Sequence, residues 1–105
     1  MIWCISYAQS AYLDLQNIYD YIADTLLEPK TAEHQTARIM DAIDSLDNMP
    51  MRHALWDDEP WRSKGLRFMP VDNYLVFYFP DPTQNIVTII RVMYERRNIT
   101  MQLSM

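Results

Sequence analysis

At 105 residues the chain has room for one hydrophobic core and none for a second domain. Half of its residues are apolar and 12% are aromatic, which excludes a disordered segment, and no run approaches the roughly 18 apolar residues of a membrane-spanning helix. The net charge of −5 excludes indiscriminate binding to nucleic acid, which depends on neutralising phosphates with Lys and Arg. That charge is unevenly spread. Residues 1–50 hold eight acids against Lys30 and Arg38, whereas the second half holds seven bases against six acids, so any anionic partner is met by the C-terminal half. The single cysteine, Cys4, has no intramolecular disulfide partner and reads as a small buried hydrophobe in a reducing compartment. No basic, apolar leader is visible at the N-terminus, and the expected location is the cytoplasm.

Residues 2–7 alternate Ile2, Cys4 and Ser6 with Trp3, Ile5 and Tyr7, the pattern of a short strand. Ser10 then stands where an N-cap belongs, and Ala11, Leu15, Ile18 and Ile22 recur at helical spacing to about Leu26, with Asp14, Gln16, Asn17 and Asp20 directed elsewhere. Pro29 suits the first turn of a second helix, whose apolar line is Ala32, Thr36, Ile39, Ile43 and Leu46 and which Asn48 and Pro50 stop. The aperiodic stretch from Met51 to Lys64 reads as a loop, its Trp56 and Trp61 anchoring it on the core. Three strand-like runs follow, Leu66 to Val71, Tyr74 to Phe79 and Ile86 to Tyr94, joined by a tight Asp72-Asn73 hairpin and by the longer Pro80 to Asn85 connection.

The order β-α-α-β-β-β predicts a single α+β domain over residues 1–105. Its mainly antiparallel four-stranded sheet carries both N-terminal helices on one face and leaves the other face, or its rim, for partners. Residues 99–105, apolar at Ile99, Met101, Leu103 and Met105, alternate at strand period and are expected to extend or cover a sheet edge.

Across nearly the whole chain this succession resembles the RelE/ParE superfamily of toxins. The residues that carry the resemblance are Tyr12-Leu13-Asp14-Leu15 and Ile18-Tyr19-Asp20-Tyr21-Ile22 in the first helix, and Ile39, Ile43, Leu46 and Met49-Pro50 at the second. In the strands they are Gly65-Leu66-Arg67, Val71 to Tyr78, and Ile90 to Ile99 with its run Arg91-Val92-Met93-Tyr94-Glu95-Arg96-Arg97. The resemblance implies a toxin that arrests growth until a cognate antitoxin forms a hetero-oligomer with it. It also implies one of two targets: DNA gyrase, as for ParE-like members, or messenger RNA cleaved on the ribosome without a metal, as for RelE-like members. The chain is an enzyme only in the second case. No cofactor, metal or membrane partner is expected.

Metal-free RNA cleavage needs a base for the ribose 2′-hydroxyl, cations on the phosphate and an acid for the leaving oxygen. The residues of those types are Arg67, Tyr94 and Arg96 as catalytic candidates, with Arg91, Arg97, Lys64 and His53 near them in sequence. Strand alternation sends Arg91 and Tyr94 to opposite faces unless a bulge intervenes, which argues against a single cluster. Leu75 follows Tyr74 where RelE-like chains carry arginine, the chain is acidic, and its last residues lack the His-Tyr ending of YoeB-like relatives. Arg96-Arg97-Asn98 is closer to the Arg-Arg-Asp of ParE-like chains. The reading is therefore a ParE-like gyrase inhibitor with Arg67, Tyr94, Arg96 and Arg97 as target-binding residues. A ribonuclease, or a remnant that still binds antitoxin, is the alternative. Arg91 has a plainer reading as the ion-pair partner of an acid in the second helix or the loop.

Overall fold

The computed structural model describes residues 2–95 and Leu103. Strand β1 (Cys4–Tyr7) leads into helix α1 (Gln9–Asp20), which continues as a π-helical turn over Tyr21–Thr25. After a turn at residues 26–28 comes α2 (Pro29–Asp44), extended by a 3-10 turn at Ser45–Asp47 and followed by another at Pro50–Arg52. Strands β2 (Arg67–Val71), β3 (Tyr74–Asp81) and β4 (Ile86–Tyr94) complete the described strands. The sheet order is β1-β4-β3-β2, with β1 parallel to β4 and the other neighbours antiparallel. No helix among the described residues is long and apolar enough to cross a membrane.

The apolar stripes behave as their spacing predicts. Ala11 and Leu15 of α1, with Ile39 and Ile43 of α2 and Leu46 just beyond it, close onto Met69, Val76, Tyr78, Val87, Ile89 and Val92 of the sheet. Ile39, Ile43 and Leu46 are fully buried, so truncating any of them to Ala leaves a cavity and costs about 2–5 kcal/mol. Tyr78 is equally buried and donates its hydroxyl to the Pro50 carbonyl at 2.6 Å, which ties the end of the helical layer to the middle of the sheet. Burial pushes the Tyr78 phenol up to about 12, with Arg67 and Arg52 opposing.

The second sheet face is covered rather than left open. Leu66, Leu75, Phe77, Met93 and Leu103 form another core there, with Trp56, Trp61, Phe68, Phe79 and Ile90 packed against it. Trp56 meets Phe68 and Phe77 edge to ring at 5.3 and 5.2 Å. The stretch after Arg52 thus wraps the β2 edge. Phe68 N–H donates to the Ala54 carbonyl and Trp56 N–H to that of Leu66, so part of the loop pairs with β2. The long aperiodic segment is a structural cover. Of the C-terminal stretch only Leu103 lies within the described residues, buried in this second core.

Two local expectations are corrected. Ser10 is not the N-cap of α1: the helix starts at Gln9, with Ala8 in the capping position, and Ser10 has another partner described below. Cys4 is exposed, because Trp3, Ile5 and Tyr7 are the β1 residues that face the helix-side core and Cys4 lies on the opposite face of an edge strand.

Candidate functional site

Pairing between β1 and β4 ends at Tyr7 opposite Ile89, yet β4 runs on to Tyr94. Beyond that point α1 takes over the role of the missing strand. Ala8 N–H donates to the Ile89 carbonyl, Ser10 Oγ donates to the Ile90 carbonyl at 2.6 Å, and Val92 N–H donates to Asp14 Oδ2 at 2.8 Å. Ser10 and Asp14 are four apart, so they stand on one helical face and address successive groups along the β4 edge. Asp14 also accepts from Arg91, Nε to Oδ2 at 2.7 Å and Nη2 to Oδ1 at 3.0 Å. Both side chains are only 13% exposed, so this is a nearly buried, two-pronged ion pair. The partner of Arg91 is therefore an acid of the first helix, and Asp14 faces the sheet rather than away from it.

A bulge explains where the β4 side chains go. Phe77 pairs with Arg91 and Tyr78 with Ile89, which leaves Ile90 as an extra residue. Ile89 and Val92, three apart, both reach the helix-side core, while Ile90 and Met93 pack on the other face. Alternation fails at Ile90, but from Arg91 to Tyr94 the register against β3 is regular, so the two side chains leave opposite faces as alternation predicts and come together only at the open edge of β4. Both border one groove of about 690 Å³, together with Ile18, Tyr21 and Leu26 of the α1 end and Tyr74 of β3. Tyr74 and Tyr94 are cross-strand neighbours, their rings edge to face at 5.7 Å. The groove joins an apolar floor, a charged pair and three tyrosine rings.

Arg67 is elsewhere. It sits opposite Tyr78, whereas Tyr94 is opposite Tyr74, so the two lie about 13 Å apart along β3 alone. Its Nη1 donates to the carbonyls of His53 (2.6 Å) and Met51 (3.2 Å). Around it are Arg52, His53 and Tyr78, residue types suited to acid-base work, but each is engaged within the fold, Arg52 at its surface. Arg52 donates to the carbonyls of Ser45, Asn48 and Met49, and the Tyr78 hydroxyl goes to Pro50. The His53 ring meets Tyr78 edge to face, its Nε2 buried without a hydrogen-bond partner; burial first and then Arg52 lower its pKa. Other cations are also engaged: Arg38 with Asp72, Arg62 with Asp57, and Lys64 over the Trp61 ring. Arg96 and Arg97 lie outside the described residues.

Asn17, Tyr21 and Leu26 were not among the candidates read from sequence, and Asp14 was placed on the wrong side. The signal for Asp14 was present, since it lies beside Ile18 at the margin of the stripe of Ala11, Leu15 and Ile18 on the helical wheel.

Two antiparallel helices on one face of a mixed four-stranded sheet, with a cation-bearing last strand, define the fold of the small RelE/ParE-type toxins. Solved structures share it. The chain superimposes on a chromosomal ParDE toxin–antitoxin system from P. aeruginosa with a TM-score of 0.72 at 19% identity, covering 89% of this chain and 96% of that one. The RelBE2 toxin–antitoxin complex from Mycobacterium tuberculosis gives 0.64 at 19% identity, covering 90% and 99%. A mutant E. coli RelE toxin in the free state gives 0.66 at 10% identity, covering 97% and 93%. Comparison with curated proteins gives no match. Residues 5–99 match the family described as ParE toxin of type II toxin-antitoxin system, parDE, and the chain belongs to that family.

Proposed function

We propose that this toxin acts on DNA gyrase, in the cytoplasm, and is held inactive by a cognate antitoxin. The observation that carries the reading is the engagement of the His53, Arg67 and Tyr78 group within the fold. Arg67 is committed to two backbone carbonyls, Tyr78 to a third, and the His53 ring nitrogen is buried, so the residues best suited to metal-free RNA cleavage are engaged in holding the loop. The match to the ParE family and the likeness to a ParDE structure support the same side. The target-contacting residues on this reading are Tyr94, at the end of β4, and Arg96 and Arg97 beyond it. Arg67, on the far side of the sheet, is left with a structural part.

The test is induction of the chain without its antitoxin. Gyrase inhibition predicts accumulated gyrase cleavage complexes and a DNA-damage response while messages stay intact, with both effects lost in Arg96→Ala/Arg97→Ala and retained in Arg67→Lys. Cleaved message on translating ribosomes would put the chain with the ribonucleases, and harmless expression would mark a remnant.

A further inference from the structure

The turn between β2 and β3 is gripped by a helix that the core does not require it to touch. Asp72 takes a left-handed φ of 55° there, a conformation that Asp tolerates better than most residues. Its carboxylate accepts from two side chains of α2: Gln35 Nε2 donates to Oδ2 at 2.9 Å and Arg38 Nη2 to Oδ1 at 2.5 Å. Gln35 and Arg38 are three apart, so they form a fork on one face of the helix. The ion pair is open to water, Arg38 being 67% and Asp72 27% exposed, and such a pair adds little to stability. Two donors converging on one exposed turn fix a position instead.

What they position is the end of β4. Asn73 follows Asp72 in the turn, and its carbonyl accepts the Glu95 N–H at 2.9 Å, just beyond the Tyr74–Tyr94 pair that closes the β3–β4 ladder. Tyr74 comes next, and its ring meets that of Tyr94 edge to face. Backbone and ring contacts thus run from the gripped turn to Tyr94 and Glu95, and the next residues in sequence are Arg96 and Arg97.

We propose that Asp72, held by Gln35 and Arg38, is a positioning residue for target engagement. It acts through Asn73 and Tyr74, which set where Tyr94 stands and where the chain enters the Arg96–Arg97 run. The inference rests on the toxin reading in which those three residues contact the target.

The test is induction of the full chain without antitoxin, at levels matched by immunoblot, with growth arrest and gyrase cleavage complexes read in parallel. Asp72→Gly keeps the left-handed turn but removes both contacts, and Gln35→Leu/Arg38→Met removes them from the helix side. Each is expected to need about tenfold more protein for half-maximal arrest, the equivalent of one good contact, with the melting temperature near that of the wild type. Asp72→Asn, which keeps the turn and an acceptor oxygen, is expected to retain most of the potency. Arg62→Ala, which breaks the surface pair with Asp57, is expected to leave potency unchanged. Amide exchange reads the clamp directly: it should quicken at Glu95 in Asp72→Gly and stay unchanged at Val76. Wild-type potency in both clamp variants, or an equal loss in Arg62→Ala, would overturn the positioning role. Potency lost in the clamp variants of a chain that arrests growth without gyrase cleavage complexes would overturn the gyrase reading and leave the clamp standing. A harmless wild type would overturn both.

Discussion

Asp14 accepts three hydrogen bonds in a site that is nearly closed to water, and Arg91 is held by the same carboxylate. Breaking such a pair from one side leaves a charge stranded, so Asp14→Ala should cost about 3–5 kcal/mol in urea denaturation. Replacing both partners, as Asp14→Leu/Arg91→Met, should recover much of that loss; a double variant as unstable as the single one would show that the Val92 N–H bond matters more than the charge. His53 makes a pH prediction. Its folded pKa lies below 6.5, so the folded state favours the neutral ring and the unfolded state takes up a proton first as pH falls. Its contribution is therefore complete above pH 6.5 and declines as pH drops towards the folded pKa. Thermal melts of the wild type from pH 7.5 to 5 should fall more steeply than those of His53→Phe. Parallel curves would assign the slope to carboxylates.

Among the elements, the α1–α2 connection stores the clearest strain. Leu27→Gly should raise stability by about 1 kcal/mol, the cost of left-handed backbone less the entropy that glycine adds to the unfolded chain. A drop in the denaturation midpoint would mean that Leu27 makes contacts worth more than its strain. Both helices and all four strands were legible in sequence because each buries one periodic stripe. The Ile90 bulge was not, since an extra residue leaves no mark on an unbroken run of β-formers such as Ile86 to Tyr94. Trp56 and Trp61 read in sequence as anchors of the loop and do pack on the core, but the sheet face they cover was expected to be open, because a loop has no period that shows which face it meets. Hence the candidates were found but misgrouped: Arg67 was placed with Tyr94, while Asp14 and Tyr21, which do share a groove with Tyr94, came from an element read only for its apolar side.

At the scale of the molecule, acidity and fold argue together. An acidic chain whose cations are mostly engaged within the fold suits a protein target and an antitoxin better than a phosphate backbone. The parallel contact between β1 and β4 has a further consequence, for biogenesis. Cys4 must find Ile86, and α1 must find the edge of β4, so β1 is completed by a strand made about 80 residues later. Closing so long a loop is slow, and until it happens the helix pair has no sheet to cover its apolar stripes. A chain stopped after residue 85 should therefore show no cooperative unfolding transition by circular dichroism. During synthesis, the β4 end that bears the proposed contacts comes into being only with the finished fold, which gives a nascent antitoxin an interval in which to arrive before there is a toxin to restrain.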